Sequence, residues 1–215
     1  MVKKSNMTLF DTLCSPLFRE RPALFIGRGD LESLETWLAG YFSASHDSGN
    51  LGILLTPNGI SFDLFREYIA YQEKDRSVGG IAYILKQAAG DDEKKAWQLL
   101  YSYLDAFMEL KVVKRERIAI TDQMRAYHND HMETYRQDSE GKMVRLQYTT
   151  TELLKTVLSN GLCYLEVSGY EEQPDGDHSV GVVGHYGIRP EEEVDRAVRF
   201  SFGVTDFEKL QIKSE

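Results

Sequence analysis

Residues 21–42 read RPALFIGRGDLESLETWLAGYF, and the second half of that stretch sets the fold class. From Asp30 onward, Leu31, Leu34, Trp37, Leu38, Tyr41 and Phe42 recur at three- and four-residue spacing, which puts them on one helical face. Asp30 stands where an N-cap belongs. Glu32 and Glu35 fall in the early turns, where carboxylates meet the positive end of the helix dipole. Pro22, Gly27 and Gly29 punctuate the entry to this helix, and ALFIG between them reads as a brief extended piece. Upstream, MTLFDTLCSPLFRER reads as a short helix interrupted at Pro16, because proline lacks a donor and clashes with the preceding turn.

Downstream, ASHDSGN is a loop, and LGILLTPNG reads as a short strand closed by a Pro-Asn-Gly turn. Ser61 is placed to cap a helix whose Phe62, Phe65, Tyr68 and Ile69 face inward, and VGGIAYILKQAAG is helical from Gly80. The clearest helix is DDEKKAWQLLYSYLDAFMELK. Ala96, Leu99, Leu100, Tyr103, Leu104, Phe107 and Met108 form its apolar stripe, and Asp91 and Asp92 lie at its start. Residues 112–136 read equally as an extension of that helix or as a strand.

The texture changes after the polar RQDSEGK. MVRLQY alternates as a strand does. Thr149 and Glu152 have capping-box spacing ahead of Leu153, Leu154, Val157 and Leu158, so a helix is expected there, stopped by Asn160-Gly161. LCYLEV, HSVGVVGHY and AVRFSFGV read as three further strands, the last from the alternation of Val198, Phe200, Phe202 and Val204. The expected architecture is α+β. A mainly helical region with one short strand, residues 1–136, packs on a small C-terminal antiparallel sheet with one or two helices, residues 137–215, as one compact unit.

At 215 residues, 42% hydrophobic and 27% charged, the chain has the composition of a globular protein able to build its own core. The longest apolar runs fall short of the ~18 residues of a membrane span. MVKKSNMTLFDTL has no apolar core of a signal peptide, so a cytoplasmic protein is expected. Cys14 and Cys163 are far apart and outside any CxxC motif, which predicts two reduced, buried thiols. The net charge of −9 disfavours nucleic acid and anionic lipid and favours basic partners.

RPALFIG resembles the RPxMYIG box of gyrase-type ATPases, whose chemistry needs a Glu and an Asn four residues apart on the following helix. Here Glu35 is followed four positions on by Ala39, and the downstream Asp-x-Gly-x-Gly turn is missing, so ATPase chemistry lacks its parts. A second resemblance covers residues 7–111. Arg21, Pro22, Leu24, Phe25, Ile26 and Gly27, then Leu31, Leu34, Trp37, Leu38, Gly40 and Tyr41, fit an RPx(M/L)(Y/F)(L/I)G box followed by LxxLxx(F/W)LxGY. This pattern is similar to that of a family of small bacterial proteins, some of which are taken to be toxin-immunity proteins. ISFDLFREYIAY and DDEKKAWQLLYSYLDAFMEL resemble the helices that follow in that family. The resemblance implies a non-enzymatic binding protein that neutralises a partner toxin by stoichiometric occlusion.

Two groups of residues are candidates for function. Glu171, Glu172, Asp175 and Asp177 crowd one loop, and Glu191, Glu192 and Glu193 follow Pro190. Such clusters are ordinarily solvated faces, but they also suit a basic toxin domain as protein partner. Arg21, His128 and His131 mark an alternative pocket between the two halves, as an enzyme or small-ligand protein would have. Arg21 is expected to pair with Asp105 or Glu109. A structural subunit of a larger assembly is a third reading. The histidines lack HExxH spacing, and Cys163 falls within an apolar alternation that predicts burial rather than pairing with His185. No metal, cofactor or catalytic set is implied.

Overall fold

Thr8 opens the fold with a reciprocal cap: its hydroxyl accepts from Asp11 N at 3.1 Å, and Asp11 Oδ2 accepts from Thr8 N at 2.8 Å. Helix α1 (Leu9–Cys14) follows, and Ser15 ends it while capping α2 (Pro16–Glu20), with Pro16 in the first turn. The computed structural model describes the backbone of residues 8–75, 77, 79–131, 134–137, 143–172, 178–203 and 212–214. Within these, side chains are described except at residues 46, 129–151, 170–186 and 212–214. The chain divides into two compact units, Met1–Lys111 and Val112–Glu215, called here the helical and sheet units.

In the helical unit, the expected extended piece at ALFIG is instead a single turn, α3 (Ala23–Ile26). Pro22, at φ −57° and ψ −33°, already holds helical geometry, and Gly27 ends the turn at φ +87°, a conformation that glycine adopts without strain. Asp30 does cap α4 (Leu31–Asp47), its Oδ1 accepting from Ser33 N at 2.7 Å. LGIL, read as a strand, is a 3-10 turn (Leu51–Leu54); the only pairing in this stretch is the bridge Leu55–Ser61, closed around Gly59. Then come α5 (Asp63–Gln72), α6 (Ile81–Ala89) and α7 (Glu93–Met108), the last capped by Asp92. Phe10, Phe62, Phe65 and Phe107 form the centre of this unit's core, with ring centroids 5.1–6.1 Å apart along the chain of contacts.

The undecided segment after α7 is a strand and then a helix, β1 (Val112–Ala119) and α8 (Asp122–His131). Strands β2 (Thr134–Gln137), β3 (Met143–Leu158), β4 (Leu162–Glu172) and β5 (His178–Pro190) follow, then α9 (Glu191–Phe202) and β6 (Ile212–Ser214). The antiparallel sheet runs β5-β4-β3-β1-β6, with β2 paired to the first part of β3.

Two expectations fail here. Thr149–Leu158 is not a helix but the second half of β3. Leu153 and Leu158, on opposite faces of the strand, are both buried, and a strand buried on both sides loses the alternation that would have revealed it. Asn160-Gly161 is a hairpin turn to β4, with Gly161 at φ +79° and Leu162 N donating to Asn160 Oδ1. AVRFSF, in turn, is helix rather than strand. Val194, Val198, Ser201 and Phe202 are its buried face, whereas Phe200, which completed the apparent alternation, is 76% exposed. Helix α9 covers one sheet face. There Val194, Val198 and Phe202 pack with Ile118, Leu153, Cys163 and Leu165, and with Met124 of α8.

Candidate functional site

Helix α4 is the spine of the helical unit, and a cavity opens on each of its flanks. Leu31, Leu34 and Leu38 anchor its inner face in the core. Its N-terminus is fixed by α6 and α7. Glu93 Oε1 accepts from Leu31 N at 2.9 Å, and Lys86 bridges Glu32 and Glu93, holding the Glu32 carboxyl below the usual carboxylate range.

On one flank, an open groove of about 670 Å³ lies between α3 and α4, lined by Phe25, Ile26, Arg28, Asp30, Ser33 and Trp37 among others. Beneath it, buried Phe18 gathers Phe25 at 5.3 Å, Trp37 at 6.1 Å and Trp97 at 6.4 Å. Both tryptophans of the chain therefore sit half-buried around one phenylalanine. The ion pair expected for Arg21 belongs to Arg19, two residues earlier. Its guanidinium grips Asp105 through two contacts and stacks 5.2 Å over the Tyr101 ring, tying α2 to α7. Arg21 itself is exposed at the end of α2.

On the other flank, α4, α5 and the start of α6 border an equally open cavity of about 420 Å³. Leu38, Ala39, Phe42, Phe62 and Ile81 line it, and Glu35, Asp63, Arg66 and Gly80 complete its wall. Arg66 is committed elsewhere: it donates to Gly79 O at 3.0 and 2.7 Å, donates to Ser77 O at 2.9 Å, and pairs with Glu67. Among the described residues, the Asp63 carboxylate accepts a 3.1 Å bond from the Ser61 hydroxyl and no other. The Glu35 carboxylate makes no hydrogen bond or ion pair among the described residues. Its carboxylate lies against Gly80, where a Cβ would overlap Glu35 Oε1, so the missing side chain at position 80 lets the carboxylate rest at the start of α6. Sequence reading placed Glu35 in the early turns of α4. Its convergence with Asp63 and Gly80, far away in the chain, leaves no mark in local pattern.

In the sheet unit, the three glutamates after Pro190 form the first turn of α9. They part company there. Glu192 and Glu193 are exposed, while Glu191 reaches Lys155 on β3 at 2.7 Å. Lys155 is 4% exposed and also contacts Asp195 at 3.1 Å and Glu116 at 3.1 Å; Glu116 in turn pairs with Lys114. Burial opposes the charge on Lys155, yet the hydrogen bonds it donates to Glu191, Asp195 and Glu116 outweigh it and raise its pKa well above 10.5. Burial likewise opposes the Glu116 carboxylate, and its bonds to Lys114 and Lys155 hold its pKa below the usual range. Sequence reading missed this cluster, although a lysine at a core-facing strand position was its trace.

Glu171 and Glu172 lie at the end of β4, across from Ser179 and His178 of β5, and their side chains lie outside the described residues. Asp175 and Asp177 lie outside them entirely. His128 belongs to the packing of α8 on α9: its ring stacks on Phe202 with centroids 4.6 Å apart, and Nδ1 is 3.1 Å from Ser201 O. His131 ends α8, with its side chain outside the described residues. The sheet register sets His185 opposite Glu166 and Cys163 opposite Arg189. Burial pushes the Cys163 thiol up to about 12, which keeps it protonated and inert. Cys14, expected to be buried, is half-exposed beside Arg19; both cysteines are free. Among the described residues no three His, Cys, Asp or Glu side chains converge as metal ligands, and no helix is long and apolar enough to cross a membrane.

No family model, no curated protein and no solved structure matches the chain. What the geometry defines is an α+β protein with an acidic, apolar-floored cavity in its helical unit and a helix-covered antiparallel sheet in the other.

Proposed function

We propose that this chain is a stoichiometric binding protein for a basic protein, of the immunity type, which neutralises a toxin domain by covering its cationic working surface. The observation that carries this reading is where the surplus of acid goes. The net charge is −9, and Glu192 and Glu193 stand exposed on a helical turn that Glu191 fixes to buried Lys155. Fixed carboxylates on a preformed surface attract a cationic partner over a Debye length of about 8 Å at physiological salt and raise the association rate. Half-buried aromatic side chains such as Trp37 and Trp97 are the kind of anchor that slows dissociation.

The test begins with the tagged chain purified from its native host at low salt, with captured proteins identified by mass spectrometry. The captured protein is then made alone and remixed. The reading predicts a partner of basic isoelectric point, an equimolar complex by light scattering, association that slows as salt rises, and suppression of the partner's toxicity in cells. A chain that captures nothing, or whose partner keeps full toxicity when saturated, contradicts it.

A further inference from the structure

The cavity between α4, α5 and the start of α6 combines two features that seldom serve an empty space. Its floor is apolar, from Leu38, Phe42, Phe62 and Ile81, with exposed Ala39 at its lip, and its wall carries the Glu35 carboxylate with Asp63. The one cation in that wall, Arg66, spends its donors on Gly79 O, Ser77 O and Glu67. Glu35 is left with no cation and no donor among the described residues. An apolar floor beneath an unpaired carboxylate is complementary to a side chain that buries an aliphatic stem and keeps a charged head at the rim.

Resting on the binding function proposed above, we infer that this cavity is the socket for an arginine or lysine side chain of the basic protein partner. Glu35 receives the head and Phe42, Phe62 and Ile81 hold the stem. Charge complementarity favours this occupant: the chain carries −9 overall, and the cavity adds two carboxylates to an apolar surface. At about 420 Å³ it has room for such a side chain and the backbone that carries it. Gly80 belongs to the device, since a side chain there would displace the Glu35 carboxylate.

The experiment has two arms. In the first, the full chain is labelled with nitrogen-15 and titrated with N-acetyl-arginine methylamide, with its neutral citrulline isostere, and with spermidine. The inference predicts saturable shifts at Leu38, Ala39 and Ile81, with the arginine probe binding at least about tenfold more tightly than the citrulline probe. Glu35→Gln should reduce the arginine probe to the citrulline level. Ala39→Phe, at an exposed position on the cavity lip, should abolish both. Equal binding of the two probes, or shifts that ignore Glu35→Gln, overturns the inference. Spermidine binding more tightly than the arginine probe assigns the cavity to a free cation and overturns it equally. In the second arm the captured partner is titrated into the wild type and both variants, after thermal melts show that the variants fold. Weakening by about tenfold or more in each supports the socket. Undiminished binding to both overturns it while the binding function stands, and a chain that captures no partner overturns the function while the probe titration still reads the cavity's own preference.

Discussion

One buried carboxylate cluster in the sheet unit and one carboxylate at a cavity in the helical unit are treated in opposite ways. The sheet unit draws Glu116, Glu191 and Asp195 onto Lys155, a cation that is almost fully buried, and so spends charge on holding α9 to β3 and β1. The helical unit pairs Glu32 and Glu93 with Lys86 and Asp105 with Arg19, but among the described residues gives Glu35 no partner over an apolar cavity. A buried carboxylate with a cation fixes structure. One left unpaired at a cavity wall stabilises nothing internally and remains free to meet a cation from outside. The contrast separates the charges that build this protein from those proposed to meet a partner.

The largest effect should come from breaking the buried cluster. Lys155→Ala leaves Glu116, whose side chain is 7% exposed, with the half-exposed Lys114 in place of the buried cation that also holds Glu191 and Asp195. The expected loss is roughly 3–5 kcal/mol, read as a lower urea midpoint with tryptophan-independent probes such as circular dichroism. A loss below 1 kcal/mol, on the order of a surface pair, would mean that the cluster is solvated.

The same cluster should shape the pH profile. Glu116 has a depressed pKa in the fold, so its contribution is present above the ordinary carboxylate value of 4.5 and is lost as pH falls through the folded value. Lys155 has a raised pKa, so its contribution is full below 10.5 and is lost as pH rises through the folded value. Stability should therefore form a plateau between these limits, and Lys155→Ala should lose the alkaline edge that the lysine itself supplies. Urea midpoints measured across the range would check both edges.

A smaller change sharpens the other half of the comparison. Gly80→Ala has acceptable backbone geometry at φ −75°, and the atom in its way is the flexible end of Glu35. It should cost about 1 kcal/mol or less as an N-cap replacement, yet move the carboxylate and weaken the arginine probe. Near-native melting together with unchanged probe affinity would show that Glu35 does not need its place beside Gly80.

The smallest effect is chemical. Cys163 should resist iodoacetamide at about pH 8 in the native protein, because burial keeps its thiol protonated. Half-exposed Cys14 should react first, though slowly, since burial also raises its pKa. Peptide mass spectrometry over time gives the order; Cys163 modified before Cys14 would mean that α9 opens away from the sheet.

Much of the helical unit was legible in sequence because its helices announce themselves locally. Asp30 and Asp92 cap α4 and α7 as their positions suggest, and the stripe from Ala96 to Phe107 is the buried one. The α+β class was legible too, from the change of texture after RQDSEGK. What misled was burial that follows tertiary neighbours. Leu153, Leu154, Val157 and Leu158 imitate a helix because residues on both faces of β3 are buried, and Val198, Phe200 and Phe202 imitate a strand because one exposed phenylalanine falls between two core positions. The acidic positions were visible as composition, but their fates were not: only the fold tells that Glu191 turns inward while Glu192 and Glu193 face outward. The pairing of Asp105 with Arg19 rather than Arg21 turned on two residues of helix phase.

Glu35, Glu192 and Glu193, carboxylates without a partner among the described residues, are the ones expected to meet the basic protein. The most direct test is calorimetric titration of the purified partner into the wild type and into the combined Glu35→Gln, Glu192→Gln and Glu193→Gln variant, at low and at physiological salt. Unchanged melting, affinity reduced by about tenfold or more, and a shallower salt dependence are expected of the variant. Equal affinity and equal salt dependence in the two proteins would contradict this expectation.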